Sequence, residues 1–139
     1  MEQSIEVTDN SIKLSERSIE ALSETRKWAH FLSILGFIGI GLMVIFGIIG
    51  GIAGTMSAFG GGALIALVYI ILAGLYSIPV YYLFMFSSEL RDAIENSQTY
   101  SLDSAFEFLK SHYKFIGIFT IVILSLYLLI FIGSMAFML

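Results

Sequence analysis

The sequence predicts an all-α membrane protein with three transmembrane helices, an N-terminal amphipathic helix and a cytoplasmic helical hairpin between spans 2 and 3. The first observation is composition: the 139 residues are 58% hydrophobic and 13% charged, with a mean hydropathy of +0.91. Soluble domains carry about 25% charged residues. The second observation is that the charged residues are confined to two segments, and the third is the length of the uncharged blocks.

Every Lys, Arg, Asp and Glu lies within residues 2–27 or 89–114, which leaves 28–88 and 115–139 uncharged. A span needs about 20 apolar residues to cross a hydrocarbon core of about 30 Å. The shorter uncharged block therefore holds one helix, and the longer block holds two, separated by the glycine-rich stretch 50–62, a poor helix interior. The predicted spans are about 30–49, 63–86 and 115–137.

The charge distribution also predicts the orientation in the membrane. Two spans separate the charged segments, so both segments lie on one side. All seven Lys and Arg are in these segments, and the positive-inside rule places them in the cytoplasm, with the C-terminus outside. Aromatic side chains near the predicted cytoplasmic boundaries suit interface anchors. They are Trp28, Tyr81, Tyr82 and Tyr113.

We divide the chain into a cytoplasmic N-terminal segment, 1–27, and a three-span membrane domain, 28–139, which includes the cytoplasmic loop 87–114. Apolar residues at helical spacing within 11–27 predict an amphipathic helix that pairs with another helix, lies among the headgroups or leads into the first span. Residues 1–10 are expected to be disordered. In the loop, helical spacing on both sides of a break near 97–101 predicts the hairpin.

Several classes of activity are disfavoured by what the sequence lacks. It has no cysteine, which excludes disulfides and thiolate chemistry. His30 and His112 lack the spacing of a metal site, and neither a nucleophile elbow nor a phosphate-binding loop is present. We therefore expect no catalytic, cofactor-binding or metal-binding residues and no enzymatic activity. A net charge of −4 disfavours a nucleic-acid partner and a strong attraction to anionic lipid.

The predicted spans contain glycines at close-packing intervals and a few polar groups, but no Asp, Glu, Lys or Arg. This disfavours a proton-coupled carrier. Pro79 removes the helix partner of the Leu75 carbonyl and predicts a kink. The predicted helix-packing residues are Gly36, Gly39, Gly47, Gly50, Gly51 and Gly54, which serve packing within the chain or association between copies. The intramembrane polar residues are Tyr69, Tyr76, Thr120, Ser125 and Tyr127.

Three stretches resemble a family of small bacterial membrane proteins classed as a domain of unknown function. They are the run 26–29 (RKWA) leading into Phe31 and Gly36, the Tyr81-Tyr82 pair, and residues 109–117 (LKSHYKFIG). The resemblance covers most of the chain after about residue 20. It implies the bacterial inner membrane as the location and brings no catalytic residues.

These observations predict a non-enzymatic accessory or scaffold subunit that acts through helix–helix association. Its partners would be the lipid bilayer and either a second copy of itself or a larger membrane complex. The alternative is a homo-oligomeric pore or small-solute channel built around the glycine-rich first span and the second span with its proline.

Overall fold

The computed structural model describes residues 15–56 and 61–138. This part of the chain forms three α-helices, α1 (Glu16–Thr55), α2 (Gly62–Asn96) and α3 (Thr99–Met138), and contains no strand. Each helix is long and apolar enough to cross a membrane. The predicted all-α fold with three candidate spans is thereby confirmed. The segment 1–10, predicted to be disordered, lies outside the described residues.

The helices run antiparallel in chain order, with α2 in the middle. Gly36 of α1 lies against Val80 of α2, and His112 of α3 contacts the adjacent residue, Pro79. Over the described residues, no Cα of α1 comes within 8 Å of a Cα of α3. The closest backbone contacts of α1 and of α3 are therefore both with α2.

The helices contain 40, 35 and 40 residues. At 1.5 Å per residue they are about 50–60 Å long, nearly twice the thickness of a hydrocarbon core of about 30 Å. The excess length lies where the charged residues are, at the start of α1 and around the turn between α2 and α3. We call this end of the molecule, residues 16–29 and 86–114, the head.

Helix α1 crosses the predicted boundary between the amphipathic segment and the first span without a break. Ser15 caps its start, because the Ser15 side chain accepts a hydrogen bond from the Ser18 N–H at 3.2 Å. The described part of residues 11–27 continues into the first span as one helix, and Leu22 packs against the buried cluster of the head. Which of the three expected arrangements this segment adopts stays a prediction.

The turn between α2 and α3 is short. Ser97 follows the last residue of α2 with φ 53° and ψ 37°, a left-handed conformation that ends a helix. Helix α3 then begins at Thr99. The structure thus keeps both arms of the loop helical and reverses the chain within Ser97 and Gln98.

The buried core lies in the head. Ala29, Phe86, Leu90 and Ala105, from all three helices, form the buried cluster. In contrast, no residue is buried in the most apolar 18-residue window of α3, and only 11% are buried in those of α1 and α2. Water surrounds the head and drives apolar burial there, whereas lipid gives helices no such drive.

We expect Leu90→Ala to destabilise the protein, because Leu90 is 0% exposed at the centre of this core. The free energy of unfolding should fall by about 2–5 kcal/mol. Unfolding in a mild detergent, followed by circular dichroism, measures it. Leu128→Ala is the matched control, since Leu128 is 60% exposed on α3. Equal losses in the two variants would show that the head is not the packed core.

Candidate functional site

Small side chains form a seam along the face of α1 that contacts α2. The buried residues of α1 are Ala29, Ser33, Gly47 and Gly51. Steps of three and four residues keep a position on one face of a helix, and the seam continues through other glycines at the same spacing. The Ser33 hydroxyl, fully buried, donates to the His30 carbonyl at 2.7 Å. No polar group of the seam therefore needs a partner on α2.

The glycines of the seam allow close approach of α2. A methyl group built on Gly36 would lie 2.8 Å from Val80 Cγ2, and one built on Gly47 would lie 2.8 Å from Tyr69 Cβ. Both distances are shorter than any ordinary carbon contact. These two positions accommodate glycine alone unless the helices move apart.

The approach is closest at the end of the hairpin far from the head. A methyl group on Gly54 would lie 2.5 Å from Gly62 Cα, and one on Gly51 would lie 3.0 Å from Ala66 Cβ. At Gly54 the obstacle is backbone, which cannot turn aside as a side chain can. The predicted packing glycines that face α2 in this way are Gly36, Gly47, Gly50, Gly51 and Gly54.

Gly39 differs from the other predicted packing glycines. A methyl group there would meet no atom within 4 Å, so Gly39 faces away from α2. Gly41 has the same open surroundings. These two positions lie on the surface that α1 presents to its environment.

The seam also explains why α1 is longer than the sequence predicts. We expected the first span to end near Ile49, because glycine costs about 1 kcal/mol in a helix interior, but α1 continues to Thr55. Close packing of the glycines against Gly62 and Ala66 offsets that cost. The prediction of a non-helical connection is therefore wrong for residues 50–55.

Both histidines form hydrogen bonds to α2. His30 Nδ1 lies 3.2 Å from Ser87 Oγ, and Ser87 donates its only hydroxyl hydrogen to the Phe84 carbonyl at 2.7 Å. Ser87 must then accept from His30, which fixes the imidazole with its proton on Nδ1. His112 Nδ1 likewise donates to the Pro79 carbonyl at 2.8 Å. The two imidazoles bind α2 about two helical turns apart, at Ser87 and Pro79.

Helix α2 is continuous across Pro79, which is buried. The predicted kink stays a prediction. Beside it, α2 and α3 enclose an apolar cleft of about 340 Å³, with Leu75 and Pro79 on one side and His112 and Phe119 on the other. The Nδ1–H of His112 and the Pro79 carbonyl, both at the edge of the cleft, are hydrogen-bonded to each other.

The predicted intramembrane polar residues do not meet in one cluster. Tyr69 packs on Gly47 of α1, whereas Tyr76 packs edge-on against Phe119 of α3, with ring centroids 6.1 Å apart. The Ser125 hydroxyl donates to the Ile121 carbonyl of its own helix at 2.8 Å. The remaining two, Thr120 and Tyr127, are exposed on α3.

The predicted interface anchors lie on all three helices near the junction of head and spans. Trp28, Tyr81 and Tyr113 are 60%, 50% and 66% exposed, as expected for rings that contact a membrane boundary. Tyr82 is half-buried against Phe108, with ring centroids 6.4 Å apart. Tyr82 therefore packs inside the protein, while the other three face outward.

Helix α3 is highly exposed beyond Phe119. Every described side chain from Thr120 to Met135 is exposed, although this stretch is the most apolar part of the chain. We call residues 120–135 the distal half of α3.

Comparison with known proteins identifies no relative: no family model, curated protein or solved structure matches the chain. The resemblance to the family of small bacterial membrane proteins therefore stays a prediction.

We expect Gly54→Ala to loosen the α1–α2 hairpin, because the new methyl group would meet the backbone of Gly62. Overpacking of this kind costs about 1–3 kcal/mol of unfolding free energy. Gly39→Ala is the matched control: it adds the same atom in open space and should stabilise α1 by about 0.5–1 kcal/mol. Thermal unfolding in detergent compares the two. A Gly54 variant as stable as the control would mean that the helices do not approach closely there.

Proposed function

We propose that this protein is a non-enzymatic accessory or scaffold subunit that associates with other membrane helices through the distal half of α3. The observation that carries the proposal is the exposure of every described side chain from Thr120 to Met135. Helices α1 and α2 are packed against each other along the glycine seam. The distal half of α3 is also apolar, and none of its described side chains is buried or half-buried.

Helix association in lipid depends on van der Waals packing, because lipid tails are as apolar as the helices. The seam glycines of α1 gain such packing within the chain, because they already contact α2. On α3, Gly117 and Gly133 have open space around them. Small residues on an uncovered helix permit the close approach of a second helix, either from another copy or from a larger membrane complex.

The arrangement of the three described helices favours a subunit over a pore formed by one chain. Among the described residues, Cα atoms of α2 come within 8 Å of those of α1 and of α3, whereas none of α1 comes that near to one of α3, so the three backbones do not close a ring around a passage. A homo-oligomeric pore would need several copies arranged around an axis. Conductance measurements decide between the two hypotheses.

The test is purification in a mild detergent with mass measurement of the intact complex, together with planar-bilayer recordings. We expect a stable complex without conductance. Bulky substitutions in α3, Ser125→Phe with Gly133→Phe, should lower the associated fraction at least tenfold. Gly41→Phe is the control, because that position of α1 has open space around it.

Two results would contradict the proposal. If Gly41→Phe disrupts the complex and the α3 variants do not, the associating surface lies on α1. If the wild-type protein forms a symmetric oligomer that conducts ions, the pore hypothesis replaces the accessory one.

We further propose that the protein lies in the inner membrane with the head and N-terminus in the cytoplasm and the C-terminus outside. The described Lys and Arg residues all lie at the head end of the helices, which supports this orientation through the positive-inside rule. The opposite end, around Met56, carries no formal charge.

Single cysteines can test this orientation, because the chain contains no native cysteine. A membrane-impermeant maleimide applied to intact cells should label Met56→Cys, since Met56 is 87% exposed at the end far from the head. It should label Ser97→Cys, in the head turn, only after permeabilisation. The reverse pattern would place the head outside.

A further inference from the structure

A basic groove of about 410 Å³ lies between α1 and α2, where the head meets the spans. Arg26 and Lys27 line it from α1, and Arg91 lines it from α2. No Asp or Glu is among its lining residues. The chain as a whole is acidic, with a net charge of −4, so this local excess of positive charge is created by the packing of two helices.

Hydroxyl and imidazole groups line the wall of the groove between the cations. Ser87 and Ser88 contribute from α2, and His30 contributes from α1. Because the Nδ1–H of His30 is engaged with Ser87, its Nε2 is the atom left for a ligand. The groove therefore presents cationic groups with hydrogen-bonding groups beside them.

The groove lies at the boundary between the charged and uncharged parts of the chain. Lys27 is the last charged residue before the first uncharged block, and Ser88 is the last residue of that block. Below them, Phe84 packs against Phe37 with ring centroids 6.0 Å apart, and this pair continues the wall as apolar surface. A ligand with an anionic head and apolar chains matches this change from cationic to aromatic lining.

One carboxylate borders the cations. Glu95 Oε1 accepts a hydrogen bond from Arg91 Nε at 2.9 Å and lies 3.7 Å from Arg26 Nη1. Lys27 has no ion pair among the described residues. Outside the groove, Lys27 also lines a surface pocket with Glu16, Glu20 and Glu24, but none of these three lines the groove itself. Glu95 competes with any anion for the two guanidinium groups.

We propose that this groove binds the phosphate of an anionic phospholipid from the leaflet that the head faces. Arg26, Lys27 and Arg91 contact the phosphate, and the acyl chains follow the aromatic wall at Phe84. Basic pockets between membrane helices bind lipid headgroups by this combination of charge and position. No residue of α3 lines the groove, so lipid binding there can be tested independently of the helix association proposed above.

The test is a lipid titration of the purified full-length protein in a neutral detergent, with bound lipid counted by native mass spectrometry. The probes are phosphatidylglycerol, phosphatidylcholine and free glycerol phosphate. We expect phosphatidylglycerol to bind at least tenfold more tightly than phosphatidylcholine. Free glycerol phosphate should fail to compete at equal concentration, because it lacks the acyl chains.

Three single substitutions locate the site. Lys27→Gln should weaken phosphatidylglycerol binding about fivefold, the effect of one cation near a membrane surface. Lys114→Gln removes the same charge from α3, where Glu89 and Glu107 line the neighbouring surface, and should leave the affinity within twofold. Glu95→Gln should tighten binding severalfold, because it releases Arg26 and Arg91 from their competing carboxylate.

Several results would overturn the proposal. Equal losses in the Lys27 and Lys114 variants would mean general charge attraction without a site. Competition by free glycerol phosphate as strong as that of the lipid would make the ligand a soluble phosphate. Weaker lipid binding in Glu95→Gln would show that the two arginines do not contact the headgroup.

Discussion

The structure depends on the close approach of α1 to α2 along the glycine seam. At Gly54 and Gly62 the two backbones come so near that no side chain fits between them. Lipid provides no hydrophobic force between helices, so contact area gained by close approach is the main source of packing energy within the membrane. This contact sets the register that brings His30 to Ser87 at the other end of the hairpin.

Two physical regimes divide the molecule. In the head, water drives Phe86, Leu90 and Ala105 into a buried core that joins all three helices. Along the spans that force is absent, and helices stay together only where small residues permit contact. Beyond Phe119, every described side chain of α3 as far as Met135 is exposed. The head therefore holds α3 in place, while its distal half faces the surroundings.

The net charge of the whole chain differs in sign from the charge of the groove between α1 and α2. An acidic chain has a basic groove because α1 and α2 each contribute cations at one level, and Glu95 offsets only part of that charge. The expectation of weak attraction to anionic lipid rests on net charge alone. Local geometry supports a different interpretation, in which position matters more than total charge.

The sequence by itself determined the number of apolar helices and the grouping of both charged segments at one end, because hydropathy and charge are properties of each residue and depend little on its neighbours. Tertiary structure decided the extension of α1 to Thr55, the orientation of Gly39 away from α2 and the exposure of the distal half of α3. It also brought Arg26 and Arg91 to one groove. These outcomes depend on the rotation and register of one helix against another. Interhelical contacts fix the rotation and the register, and neither can be predicted from the spacing of residues along a single helix.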